Sequence, residues 1–103
     1  MTEPRFGDLY EVKVADRILR RIIVSSGFFH TVSPDTVITA DVETKVRSTS
    51  VLAVSLGEHG TALVDRLHSM SRDRLMERTG QVTSRNQLAA LSGALRVMLG
   101  PDA

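Results

Sequence analysis

The chain has 103 residues, which is the size of one domain and too short for two independent cores. Hydrophobic residues make up 42% of it and charged residues 24%, a balance typical of folded proteins rather than disordered ones. The absence of cysteine excludes disulfides, thiolate zinc sites and cysteine nucleophiles. We therefore predict a single domain over residues 1–103, with residues 1–8 as a candidate disordered tail.

The formal net charge of +1 gives no strong preference for an acidic or a basic partner. No apolar run approaches the roughly 20 residues that a membrane-spanning helix needs. The start of the chain, residues 1–8, is acidic and contains proline, so it lacks the apolar core of a signal peptide. We therefore expect a cytoplasmic protein.

Residues 10–35 show two apolar patterns followed by a turn-forming segment. Apolar Tyr10, Val12 and Val14 alternate with polar residues, which predicts a strand. The next segment has apolar residues at helical spacing, which predicts a first helix from Ala15 to Ser26. These residues are Ala15, Ile18, Leu19, Ile22 and Ile23. Turn-forming residues then predict a loop over 28–35.

Two strands and a second helix are predicted next. The patterns at 37–42 and 51–54 predict strands joined by a hairpin turn near 47–50. Apolar residues then recur at helical spacing, which predicts a second helix from Thr61 to Gly80. The resulting order is β-α-β-β-α followed by a helix or strand. The predicted fold class is α+β, a small single-layer sheet with helices on one face.

The C-terminal segment allows two interpretations. Val82 could begin a strand, but a capping-box pattern at Ser84 and Gln87 favours a third helix over residues 84–99. This helix could pack on its own sheet or project and mediate association, and the polar stretch 81–86 favours projection as a hinge. The candidate interaction residues are its apolar stripe: Leu88, Leu91, Leu95, Met98 and Leu99.

No catalytic, cofactor-binding or metal-binding constellation is visible in the sequence. His30, His59 and His68 lack partners at metal-ligand spacing, and we interpret each as a surface or capping residue. No strained G-x-S-x-G turn presents a nucleophilic serine. We therefore expect no enzyme activity, no cofactor and no metal.

A nucleic-acid-binding module is the alternative function. The G-x-x-G turn at residues 57–60 could bring backbone amides to a phosphate, although a simple strand-to-helix turn explains the same glycines. The candidate contacts are five arginines along and just past the predicted second helix: Arg66, Arg72, Arg74, Arg78 and Arg85. Interspersed acidic residues, Asp73 and Glu77, favour a solvated face over a nucleic-acid-binding stripe.

Four features occur in order along the chain: Val14 to Ile22 opening the first predicted helix, the predicted strand ending at Gly57, the long predicted helix from Thr61, and Arg78-Thr79-Gly80 followed by Val82. This combination resembles the alkaline shock protein family of general-stress, cell-envelope-associated proteins of Gram-positive bacteria. It covers most of residues 10–82 in order and spacing. The segment from Gly27 to His30 and the helical C-terminal segment depart from the family pattern.

This resemblance implies a non-catalytic interaction or scaffold protein of the envelope stress response. Such a protein would act through self-association as a homo-oligomer and through contacts with other proteins. It would reach the inner face of the membrane through a membrane-anchored partner rather than by inserting into lipid.

Overall fold

A computed structural model describes residues 3–45 and 50–100. The six strands are β1 Asp8–Val14, β2 Arg17–Ile23, β3 Thr36–Glu43, β4 Ala53–Ser55, β5 Thr61–Ser71 and β6 Leu75–Gln81. The two α-helices are α1 Gly27–Val32 and α2 Arg85–Leu99, and short 3₁₀ turns cover Gly57–His59 and Arg72–Arg74. Within the two described ranges, no helix has the length and apolarity needed to cross a membrane.

All six strands form one antiparallel sheet in the order β4-β5-β3-β2-β1-β6. Helix α2 packs on β4 and β5, so the architecture is a mostly β domain with a C-terminal helix. The predicted β-α-β-β-α order is therefore wrong, and so is the predicted sheet with its helices on one face.

The predicted first helix is instead strand β2, paired along its length with β1. Ile22 and Ile23 are adjacent and both fully buried, because they point to opposite faces of the sheet. A strand buried on both faces reads as a continuous apolar run, and such a run is hard to distinguish from a buried helix. The β-branched side chains of this segment favour the strand.

The predicted second helix is likewise two strands, β5 and β6, separated by the turn at Arg72–Arg74. Consecutive residues Ala62, Leu63 and Val64 are all buried, which again produced a helix-like apolar spacing. The predicted loop over 28–35 contains helix α1, whose first turn is capped by the Ser26 side chain accepting from the Phe29 amide.

The described residues include only part of two predicted segments, the tail at residues 1–8 and the turn at 47–50. Most of the predicted turn at 47–50 lies outside the described residues, as do residues 1 and 2 of the predicted tail. The rest of that tail is described, and its Pro4, Gly7 and Asp8 are buried.

The sheet buries an apolar cluster on each face. The larger cluster lies under α2 and contains Leu9, Ile22, Ala40, Val64 and Leu91 among others. The smaller one lies on the opposite face and contains Tyr10, Val12, Ile23, Val37 and Met70. Neighbouring residues such as Leu9 and Tyr10 therefore serve different cores, as the pleat requires.

Helix α2 packs on its own domain and does not project from it. Leu91 is fully buried, and Leu88, Leu95 and Met98 are partly buried against the larger cluster. Only Leu99 of the predicted interaction stripe stays mostly exposed, at 65%. The preference for a projecting helix is therefore wrong. A role of this stripe in association stays a prediction.

The hairpin between β1 and β2 places Ala15 in a strained conformation. Val14 pairs with Arg17, which leaves a two-residue turn, and Ala15 has a φ of 56°. This left-handed region is costly for any residue with a Cβ. Ala15→Gly should therefore stabilise the domain by about 0.5–1 kcal/mol after the entropy of the added glycine is counted.

Thermal unfolding should show this gain as a rise of a few degrees in Tm. Asp16→Gly is the matched control, because Asp16 does not adopt a positive φ and gains nothing from the change. Equal Tm shifts for the two variants would contradict the strain at Ala15.

The packing of α2 on the larger cluster leads to a second prediction, which concerns the free energy of unfolding. Leu91→Ala should lower the free energy of unfolding by about 2–5 kcal/mol, because it leaves a cavity in the larger cluster. Leu99→Ala on the same helix should change it little, since that side chain is mostly exposed. Denaturant titration measures both. A projecting helix would instead make the two substitutions equally mild.

Candidate active site

A bulge between β3 and β5 shapes the polar centre of the sheet. Ala40 pairs with Leu67, whereas the next residue, Asp41, pairs with Leu63. Residues 64–66 of β5 therefore have no opposite residue on β3, and Val64 turns its amide to Leu52 instead. Bulges of this kind re-aim side chains and are frequent beside active sites.

Asp41 is the centre of a three-residue cluster beside this bulge. Its Oδ1 accepts a hydrogen bond of 3.2 Å from Nε of Arg21, the residue opposite it on β2. The same oxygen lies 3.0 Å from Nε2 of His68, which comes from β5 just past the bulge. One carboxylate oxygen thus holds an arginine and a histidine from two neighbouring strands.

The His68 ring is held with one nitrogen inward. Nε2 is buried against Asp41, although its alignment is not that of a hydrogen bond. The side chain as a whole is 39% exposed, so part of the ring away from the buried Nε2 is open to a ligand. An acid beside Nε2 favours a proton there, and Nδ1 can then accept one. The arrangement suits a general base.

The guanidinium of Arg21 is nearly buried, with 8% of the side chain exposed. Besides the bond to Asp41, its Nη1 contacts the sulfur of Met70 at 3.8 Å. Its Nη2 group makes no hydrogen bond to any residue in the described ranges. A mostly desolvated guanidinium with free donors is a strong partner for a phosphate.

The cluster belongs to a row of residues that crosses the sheet. Tyr10 on β1 lies opposite Arg21, and Arg78 on β6 lies opposite Tyr10. Burial raises the pKa of Tyr10, and the nearby Asp8 carboxylate raises it further. The phenol therefore stays neutral at physiological pH.

An exposed ion pair borders the cluster. Glu43 lies two residues beyond Asp41 on β3 and therefore on the same face. Its Oε1 accepts a hydrogen bond of 3.2 Å from Nη1 of Arg66. Both side chains are about half exposed, so this pair contributes little to stability. The guanidinium of Arg66 is the second one near the cluster, because Arg66 lies two residues before His68 on β5.

The cluster therefore combines a proton acceptor with a buried cation, which is suited to reactions at a phosphodiester. In the described part of the chain, no three His, Cys, Asp or Glu side chains are grouped to hold a metal ion.

The three histidines occupy different environments. His30 Nε2 lies 2.6 Å from the Ser25 hydroxyl, which also accepts from the Ile38 amide. His59 belongs to the turn between β4 and β5 and lies against Gly80. Of the three, only His68 lies beside a carboxylate that also holds a buried arginine, so its interpretation as a surface or capping residue does not describe its surroundings.

The five predicted nucleic-acid contacts do not lie on one helix. Arg66 is on β5 and Arg78 on β6, and Arg72 and Arg74 belong to the turn between these strands. Arg85 begins α2, and Arg74 donates to the Lys13 carbonyl at 3.2 Å. Their role in binding nucleic acid stays a prediction, but the Arg-rich second helix itself does not exist.

The G-x-x-G segment at residues 57–60 joins two strands rather than leading into a helix. Gly60 has a φ of 107°, and a Cβ there would lie 2.6 Å from the carbonyl oxygen of Glu43. Close backbone approach therefore explains this glycine. The expected helix N-terminus for a phosphate is absent at this turn.

Neither Arg21 nor Asp41 is among the site residues predicted from the sequence. Helical spacing places Arg21 on the polar face of the predicted first helix, and Asp41 lies in the strand predicted at 37–42. A weak signal was present: an arginine directly before the buried pair Ile22 and Ile23 must share a sheet face with one of them. Knowing that Asp41 lies opposite Arg21 requires the strand pairing, which one sequence does not give.

Similar solved structures share this fold over nearly the whole chain. A mycobacterial endoribonuclease in complex with its cognate antitoxin has a TM-score of 0.83 at 22% identity, covering 97% of this chain and 98% of that one. A MazE-MazF structure from Deinococcus radiodurans has a TM-score of 0.79 at 20% identity, covering 99% and 100%. The Mycobacterium tuberculosis toxin MazF-mt6 has a TM-score of 0.68 at 17% identity, covering 93% and 99%.

Neither the protein-family models nor the curated proteins give a match to the chain. At 17–22% identity, the structural likeness establishes the fold, and this fold overturns the resemblance to alkaline shock proteins. The interpretation as a non-catalytic envelope-stress scaffold depended on that resemblance and is wrong with it. The expectation of no enzyme activity is contradicted as well. The chain has the fold seen in MazF toxins.

Proposed function

We propose that this chain is an endoribonuclease that cleaves single-stranded RNA at the Arg21–Asp41–His68 cluster. The observation that carries the proposal is this cluster, because it unites an acid-oriented histidine with a nearly buried guanidinium. The shared fold supports it, since similar structures are described as endoribonucleases. RNA carries its own nucleophile, the ribose 2′-hydroxyl, so the protein needs no nucleophilic side chain.

In the proposed reaction the 2′-oxygen attacks the adjacent phosphorus while Nδ1 of His68 accepts the hydroxyl proton. The bond between phosphorus and the 5′-oxygen breaks, the leaving oxygen takes up a proton from water, and His68 returns to solvent the proton that it accepted. The products are a 2′,3′-cyclic phosphate and a 5′-hydroxyl end. All atoms and electrons balance without an added co-reactant.

Each residue of the cluster has a distinct role in this step. Arg21 neutralises the extra negative charge on the phosphoryl oxygens in the transition state. Asp41 is a positioning residue: it orients the His68 ring and compensates the charge of Arg21. A charge held in a mostly buried site acts more strongly than the same charge in water.

We also propose two protein partners. One is a second copy of this chain, seated on the apolar groove of about 610 Å³ between α2 and β4 that Val51, Ala53, Ala90 and Val97 line. Val51 and Val97 are largely exposed there, which a monomer seldom maintains in one patch. The other is an antitoxin, because similar structures are complexes of that kind. Cellular RNA as substrate agrees with a cytoplasmic location.

Substitution of the cluster tests the proposed function. His68→Ala should slow cleavage of a fluorescent RNA oligonucleotide by about 10²–10⁴-fold, because general base catalysis contributes that much. Asp41→Asn should also reduce the rate, since it removes the charge that orients the ring. His59→Gln is the matched control, because His59 lies in the turn between β4 and β5 and packs against Gly80, with no hydrogen bond or ion pair to Asp41 or Arg21 among the described residues. Circular dichroism checks that each variant is folded.

Two results would contradict the proposal. One is wild-type cleavage that His68→Ala leaves unchanged in a folded protein. The other is purified wild-type chain that cleaves no RNA in a panel of mixed-sequence oligonucleotides.

A further inference from the structure

A cavity of about 490 Å³ lies at the other end of the row that crosses the sheet, and its walls include Pro4, Tyr10, Arg72, Leu75, Met76 and Arg78. Its volume is within the range of small-molecule sites. The reaction proposed above uses none of these residues.

The cavity is next to the candidate active site along the strand pairing. Tyr10 lines it and lies opposite Arg21, which in turn lies opposite Asp41. With strands about 4.8 Å apart, Tyr10 and Asp41 are separated at the backbone by roughly 10 Å. A chain of nucleotides bound at the cluster can therefore reach the cavity without leaving this face of the sheet.

The lining has the two kinds of group that a nucleotide needs. Pro4, Leu75 and Met76 provide apolar surface for a base, and Arg72 and Arg78 provide guanidinium groups for a phosphate. The acidic side chains that also line it, Asp73 and Glu77, are largely exposed to solvent.

The structure already shows an anion beside each of these arginines: Oδ2 of the buried Asp8 lies 3.9 Å from Nη1 of Arg78, and an exposed carboxylate contacts Arg72. Oε1 of Glu3, from the N-terminal segment, lies 2.9 Å from Nη2 of Arg72. This contact lowers the pKa of Glu3 and raises that of Arg72, chiefly through the hydrogen bond between them. Glu3 is 65% exposed and can be displaced, so its carboxylate stands where a phosphate oxygen would bind.

We propose that this cavity is a subsite for an RNA nucleotide next to the cleaved bond, with its phosphate on Arg72 and Arg78 and with Glu3 as an internal competitor. The proposal rests on RNA being the substrate of the neighbouring cluster. It assigns two of the five sequence-predicted arginines to one site and leaves Arg85 outside it.

Binding of an uncleavable RNA tests the subsite separately from catalysis. The probe is a fluorescent oligonucleotide with 2′-O-methyl groups throughout, and anisotropy is measured over a series of salt concentrations. Arg72→Ala and Arg78→Ala should each weaken binding about tenfold. Each should also make the slope of log K against log salt shallower by about 0.7, the value for one lost phosphate contact on a single strand.

The other variants give matched controls. Glu3→Gln should tighten binding, because it removes the competing carboxylate. Arg85→Ala removes an equal charge outside the cavity and should leave the slope unchanged. His68→Ala should retain binding although it loses cleavage, and thermal unfolding checks that every variant is folded.

Wild-type affinity and slope in both Arg72→Ala and Arg78→Ala would overturn the subsite, even if the wild-type chain cleaves RNA. Tight binding of an acidic peptide such as hexaglutamate, without RNA binding, would also overturn it in favour of a protein-binding cavity. Conversely, arginine-dependent RNA binding without any cleavage would support the subsite and refute only the proposed catalysis.

Discussion

The arrangement of the candidate site depends on one interaction, the contact of the Asp41 carboxylate with both Arg21 and His68. A guanidinium that is 8% exposed has lost most of its hydration, and a nearby anion is needed to offset the cost of burying its charge. Asp41 supplies this charge from the neighbouring strand at 3.2 Å. The same oxygen lies 3.0 Å from Nε2 of His68. Removing the carboxylate would therefore leave a buried cation unpaired and His68 without its acidic neighbour.

The sheet places these groups together by register and by one irregularity. Direct opposition of β2 and β3 aligns Arg21 with Asp41, and the bulge on β5 brings His68 alongside. The apolar clusters on the two faces, together with α2, fix that register, because a shift of one residue would expose both cores. The same apolar packing therefore stabilises the domain and fixes the geometry of the site.

Part of this structure could be predicted from the sequence. The alternation at Tyr10, Val12 and Val14 corresponds to β1, and the capped apolar stripe at 84–99 corresponds to α2. The segments that became β2 and β5 could not be identified in this way, because strands buried on both faces lose their alternation. Ile22 and Ile23 in β2, and Ala62 to Val64 in β5, fit helical spacing by coincidence. The site was hidden for a related reason: its three residues are 20 and 27 positions apart along the chain, and only strand pairing unites them.

The chemistry of the RNA ends tests the central claim most directly. Transfer of the phosphoryl group to the 2′-oxygen, with His68 as base and Arg21 as the compensating cation, leaves a 2′,3′-cyclic phosphate on one fragment and a 5′-hydroxyl on the other. Mass spectrometry of the fragments made by the purified wild-type chain distinguishes these ends from others. The cyclic phosphate is the predicted result, whereas fragments that carry a 3′-hydroxyl and a 5′-phosphate from the outset would contradict it.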